Sequence, residues 1–130
     1  MRSGYIHIAN NIFPTLLAIS QEEQSMGLMY QPFPPPIMSF VYAKPQINMM
    51  WMKNTISPLD IVFCHNGKVS EVAYGEPNST RIIGNHLFSD LVVELPHGMA
   101  ESVPIKIGQS AGLITPELKE LRAMLVRHDF

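Results

Sequence analysis

Leu59-Asp60-Ile61-Val62-Phe63-Cys64-His65, then Asn66-Gly67, then Lys68-Val69-Ser70-Glu71-Val72-Ala73-Tyr74 is the stretch that decides the fold. A two-residue connection between right-twisted strands needs positive φ at both positions, and Asn-Gly meets that need at least steric cost. Two β-rich runs around Asn66-Gly67 therefore predict a tight antiparallel hairpin from Leu59 to Tyr74. The first run is apolar at nearly every position, the pattern of a strand covered on both faces, and Asp60 is its odd member.

Outward from this hairpin, further short runs read as strands: Ile6 to Ile8, Ile12 to Ile19, Ile37 to Tyr42, Ile47 to Lys53, Arg81 to Ile83, Leu91 to Leu95 and Ile105 to Ile107. Asn10-Asn11 reads as the turn between the first two, and Pro14 interrupts the second. Many short strands with turn signals between them predict a mainly β fold, a compact β-sandwich or barrel-like single domain. Ser20-x-x-Glu23 is a capping box, which predicts a short helix over Gln21 to Met29. Pro32 to Pro36 read as a rigid extended connector. Thr115-Pro116-Glu117 starts an amphipathic C-terminal helix whose stripe is Leu118, Leu121, Met124 and Leu125. The expected organisation is a β-rich domain over residues 1–114 and a helical extension over 115–130, through which a homo-oligomer could form.

Of 130 residues, 46% are hydrophobic and 15% charged, so the chain can bury a core and disorder is excluded. Eleven prolines break it into short segments, which excludes an all-helical bundle. Nine Lys and Arg against eleven Asp and Glu, with no basic run, argue against nucleic acid as a partner. Residues Met1 to Ser20 resemble neither a signal peptide nor a membrane span, so the expected location is cytoplasmic, with no membrane partner. Cys64 is the single cysteine, and its neighbour His65 points to the opposite face of the strand, so the two form no nucleophile–base pair. The five histidines show no metal-ligand spacing, and Met49, Met50 and Met52 read as core residues; neither metal nor cofactor is expected.

The candidate site lies between Asn48 and Ile61. Strand alternation puts Met49, Trp51, Lys53 and Thr55 on one face and Met50, Met52 and Asn54 on the other. Both faces carry large apolar groups, which predicts cover on both sides until the polar cluster Lys53, Asn54 and Thr55. Asp60 and Glu94 each interrupt an apolar run, and a buried carboxylate without a partner costs several kcal/mol, roughly. Lys53 is the expected cation for them, with Arg81 second. The constellation has two readings, a polar network fastening strand ends and a small ligand pocket.

Gly27-Leu28-Met29, Trp51-Met52-Lys53-Asn54-Thr55, Pro58-Leu59-Asp60-Ile61, Glu94-Leu95 with Gly98, and Ile105 to Gly108 together resemble the family known as domain of unknown function 192, over about Ile12 to Gly112. Met50 stands where an aromatic residue usually precedes the tryptophan, and Met38-Ser39-Phe40 replaces a more common Gly-Met-Leu-Phe, as in a diverged member. The resemblance implies a compact β-rich fold and, for many relatives, export; it implies no function. The leading expectation is a non-enzymatic module that binds a small polar ligand, a carbohydrate or a peptide segment, on the Trp51 to Asp60 face. Trp51 would stack, Lys53 and Asn54 would donate beside Thr55, and Asp60 and Glu94 would accept. One alternative is a hydrolase with Asp60 and Glu94 as acid and base. Another is an assembly protein acting through the C-terminal helix.

Overall fold

The computed structural model describes residues 1–114. The elements in chain order are β1 (Arg2–Ile8), β2 (Asn11–Ala18), α1 (Gln21–Met26), β3 (Met38–Ile47), β4 (Leu59–His65), β5 (Lys68–Gly75), β6 (Phe88–Pro96), α2 (Met99–Ser102) and β7 (Ala111–Ile114). The strands form one sheet in the order β5-β4-β6-β3-β2-β1-β7, antiparallel throughout except for the β2–β3 pair. The sheet curls until its two edges touch. The Val69 amide donates to the Gln109 carbonyl, the Gly108 amide to Val69, and the Ala111 amide to Gly67, so the start of β5 is stitched to the chain entering β7. This is the mainly β, barrel-like architecture the strand pattern predicts.

The β4–β5 hairpin forms as its sequence dictates, with Asn66 at φ 51° and Gly67 at φ 76°. One extra residue, Ser70, bulges between the Phe63–Glu71 and Cys64–Val69 pairs, and its hydroxyl donates to the Phe63 carbonyl. Pro14 is tolerated in β2 because there the strand pairs with β1 alone; its parallel ladder with β3 begins only at Leu16.

β4 and β6 are interior strands, second and third in the sheet order, and are buried on both faces. Inside the curl Val62, Cys64, Val93 and Leu95 pack with Ile6, Ile8, Val69, Ile105 and Ala111. On the outer face Leu59, Ile61, Phe63 and Val92 pack with Phe40, Met38, Leu28, Met50 and Met52. That second cluster is covered by coil and by the segment around Leu28, not by another sheet.

Several expectations are corrected here. The β1–β2 turn is Ala9-Asn10, one residue earlier than expected, and Asn11 already pairs with Ile8. The helix α1 stops at Met26, where Gly27 takes φ 50°. Ile47 ends β3, and residues 48–53 and 81–83 are not strands; they meet through the Met50–Ile83 bridge, whose two amide hydrogen bonds are each 2.9 Å. Met49 is 65% and Trp51 44% exposed, so the predicted cover on both sides fails. The alternation is real, but only the Met50 and Met52 side finds a sheet beneath it. Residues 105–107 are coil leading into a turn, and the last strand among the described residues is β7 instead. The expected C-terminal helix at 115–130 lies outside the described residues.

Candidate functional site

Three local devices build a cavity on the outer face. The first is the capping box: the Glu23 amide donates to the Ser20 hydroxyl at 3.1 Å, and the Ser20 amide donates back to the Glu23 carboxylate at 2.9 Å. With its carboxylate also accepting from Ile19, Glu23 is held below its ordinary carboxylate pKa, first by the Ser20 amide. From the same helix the Gln24 amide donates to the carbonyls of Ala18 (3.1 Å) and Val41 (3.0 Å), tying α1 to β2 and β3.

The second device is the loop after β3. The Met52 amide donates to Ser79 and the Thr55 amide to Met52, Asn54 turns the chain at φ 55°, and the Asn54 carbonyl accepts from Tyr30. The Ser57 hydroxyl donates to the Gln31 carbonyl at 2.7 Å, which binds the loop to the coil after α1. The third is buried Asn48, whose side-chain amide donates to the Ser89 hydroxyl (2.8 Å) and carbonyl (2.9 Å) of β6.

Between α1, β3 and this loop lies a cavity of about 350 Å³. Leu28, Phe40 and Met50 give it apolar wall, Tyr42, Asn48 and Thr55 add polar atoms, and Trp51 and Lys53 stand at its exposed rim. The Lys53 ammonium sits 5.2 Å from the centre of the Trp51 ring, a cation–π contact. Glu94 also lines the cavity, and it is only 4% exposed. Among the described residues nothing donates a hydrogen bond to its carboxyl or pairs with it. Burial alone pushes it from the ordinary 4.5 up to about 8, so it is mostly protonated at neutral pH. The Tyr42 phenol is pushed up to about 12, first by burial and then by the Glu94 charge.

Asp60 is 6% exposed and has a different fate. The register pairs Asp60 with Leu95 and Ile61 with Glu94, and cross-strand partners share a face, so the two carboxylates lie on opposite sides of the sheet. The proposed acid–base pair is therefore ruled out by register. Asp60 instead accepts from the Gly98 and Ala100 amides, each at 2.9 Å, at the start of α2, and meets His97 Nδ1 at 2.8 Å. His97 in turn packs edge-on against Tyr74. Asp60 is a fastening between β4 and the chain after β6.

Of the six candidates, the structure gathers Trp51, Lys53, Thr55 and Glu94 at one cavity and leaves Asn54 and Asp60 out of it. Neither Lys53 nor Arg81 forms an ion pair with either acid. Phe40, Tyr42 and Gln24 line the cavity without having been anticipated, and Asn48, at the edge of the expected stretch, had been given no role. Only the capping box carried a signal for this wall, and it spoke of a helix and not of a pocket. Among the described residues no group of three or more His, Cys, Asp and Glu is placed to hold a metal ion. No helix among them is long and apolar enough to cross a membrane.

The fold and cavity define a small, mainly β chain built on one curled sheet, with one buried, unpaired acid among the described residues, Glu94, in a cavity rimmed by the Trp-Met-Lys-Asn-Thr loop. The chain belongs to the DUF192 family, described as Uncharacterized ACR, whose model matches residues 6–113. Among curated proteins no sequence matches it. A crystal structure of a protein of unknown function from Novosphingobium aromaticivorans is similar at a TM-score of 0.73 and 26% identity, over 85% of this chain and 82% of that one. A candidate transcription regulator from Sinorhizobium meliloti is similar at a TM-score of 0.75 and 27% identity, over 85% of this chain and 92% of the other.

Proposed function

We propose that this chain is a binding module that performs no chemistry of its own and takes a small polar ligand in the cavity between Trp51 and Glu94. Glu94 carries the reading. A carboxyl so nearly buried, with no hydrogen-bond or ion-pair partner among the described residues, costs free energy that a structural role does not explain, and a ligand group reaching it would relieve that cost. The apolar walls and the few polar atoms of Tyr42, Asn48 and Thr55 have the make-up of a small-molecule pocket. Trp51 offers an exposed ring for stacking and Lys53 a donor at the rim. Against catalysis stands the lining itself, which contains one carboxyl and no histidine, cysteine or second acid to work with it.

The description of the Sinorhizobium neighbour suggests a role in transcription. A DNA-binding role would require clustered cations for the phosphates, and nine Lys and Arg against eleven Asp and Glu do not favour it.

The test is a thermal-shift and calorimetric panel of mono- and oligosaccharides, amino acids and short peptides. At least one class should raise the melting temperature of the wild type, and Glu94→Gln or Trp51→Ala should abolish the rise while Asp60→Asn keeps it. A panel with no response, or a response that survives Glu94→Gln and Trp51→Ala, would contradict the reading.

A further inference from the structure

The cavity's polar groups follow a definite order from floor to mouth. Its floor holds the Glu94 carboxyl, its wall beside Leu28, Phe40 and Met50 is apolar, and its mouth holds Lys53 against the Trp51 ring. We propose that the cavity takes the ammonium end of a short aliphatic zwitterion, with the ammonium on Glu94, the methylene stem along the apolar wall and the carboxylate at Lys53. A free ω-amino acid and the C-terminal lysine of a polypeptide offer this same chemistry. The inference rests on the binding reading above and names the ligand class for the same cavity.

Each part of the ligand answers one feature. A desolvated carboxylate is stable only beside a cation, and among the described residues no cation pairs with Glu94. A sugar has none to offer, whereas an ammonium does, and its stem can lie on apolar surface as a lysine stem does. An amine with no anion would meet only the repulsion of Lys53 at the mouth; a carboxylate at that end turns the repulsion into a pairing. The volume of about 350 Å³ sits near the lower end of the roughly 300–1,000 Å³ usual for ligand pockets, which suits a molecule of amino-acid size and not a nucleotide or a long glycan.

Binding then carries a proton signature. The titratable groups facing the cavity are Glu94 on β6, Tyr42 on β3 and Lys53 on the loop; α1 contributes only Gln21, Gln24 and Ser25 among its polar side chains. Glu94 is mostly protonated at pH 7, and pairing with an ammonium ionises it, so its proton is released to solvent. Affinity should rise by up to about tenfold per pH unit below pH 8 and level off above it.

The experiment is titration calorimetry of the chain with 6-aminohexanoate at pH 7 in phosphate and in Tris, whose ionisation heats differ. Expected are binding, release of close to one proton, and affinity at least about tenfold above that of hexanoate and 6-hydroxyhexanoate. Glu94→Gln should lose the proton release and the preference, and Lys53→Gln, at the exposed rim, should weaken 6-aminohexanoate but not hexylamine. A short peptide ending in free lysine distinguishes the sources: tighter binding than 6-aminohexanoate points to a polypeptide, weaker binding to the free amino acid. Equal binding of hexanoate or 6-hydroxyhexanoate, or binding without proton release, would overturn the zwitterion and leave the cavity standing. The same holds if 6-aminohexanoate fails while another compound of the panel binds in a Glu94-dependent way. Failure of every compound would remove both readings.

Discussion

Glu94 and Asp60 look alike in the sequence, each an acid inside an apolar strand, and the fold gives them opposite duties. Asp60 is satisfied by two backbone amides and a histidine, so it holds structure together. Asp60→Ala should cost about 3 kcal/mol, read from urea unfolding, because it strands the Gly98 and Ala100 amides; a loss near zero would contradict the fastening. Glu94 has no partner among the described residues, and its raised pKa makes it a burden at higher pH. Between pH 4.5 and 8 the folded chain keeps a proton on Glu94 that the unfolded chain has released, so stability falls as pH rises through that window and levels off above it. The slope is at most about 1.4 kcal/mol per pH unit from this group. Glu94→Gln should flatten the decline in melting temperature between pH 5 and 8, and an unchanged profile would show that Glu94 is not the buried acid described. Cys64, pushed up to about 12 by burial and then by Asp90, should not react with a thiol reagent until the chain unfolds. That two acids sat at unusual positions was legible from alternation; which of them had partners was not. Backbone amides satisfy Asp60, and backbone groups leave no residue-type signal in a sequence.

Elements were legible where local chemistry alone decides them. Asn66-Gly67 gave a two-residue turn because its φ requirement is local, and Ser20-x-x-Glu23 gave a capped helix for the same reason. Ser20→Ala should cost about 1 kcal/mol in stability and loosen the α1 wall of the cavity, which amide hydrogen exchange of residues 21–26 would detect. The Trp51 loop was misread as a strand because its period of two is genuine, yet alternation records which side chains are buried and not what buries them. A sheet face lies under Met50 and Met52, while Met49 and Trp51 face solvent at the cavity mouth. The loop can lie this close because Gly75 on β5 has no side chain: a Cβ there would come within 2.6 Å of the Met52 sulfur. Gly75→Ala should therefore displace Met52 and the loop, lowering the melting temperature and shifting Trp51 fluorescence together. A change in stability with no change in Trp51 emission would separate Gly75 from the site.

At the scale of the whole molecule, one curled sheet keeps two apolar clusters apart, and the separation assigns the functions. The inner cluster closes the barrel-like curl where β5 meets the chain entering β7. The outer cluster is covered by α1, the coil around Leu28 and the Trp51 loop, and this lighter cover leaves room for a cavity. The β class and the family resemblance were readable from pattern; the strand count was not, since runs around Trp51, Ile82 and Lys106 carry strand-like residues without a ladder partner, and β7 went unread. The cavity was not, because it joins residues from Gln21 to Glu94 that only the sheet order brings together. The decisive measurement uses Trp51, the single tryptophan of the chain, as reporter at the mouth and Glu94 as switch at the floor. Titrating the wild type with the small-molecule panel should give saturable changes in Trp51 emission for at least one compound, and Glu94→Gln, folded by circular dichroism, should abolish or weaken them at least about tenfold. Emission that no compound changes, or that changes equally in both proteins, would contradict a binding site between Trp51 and Glu94.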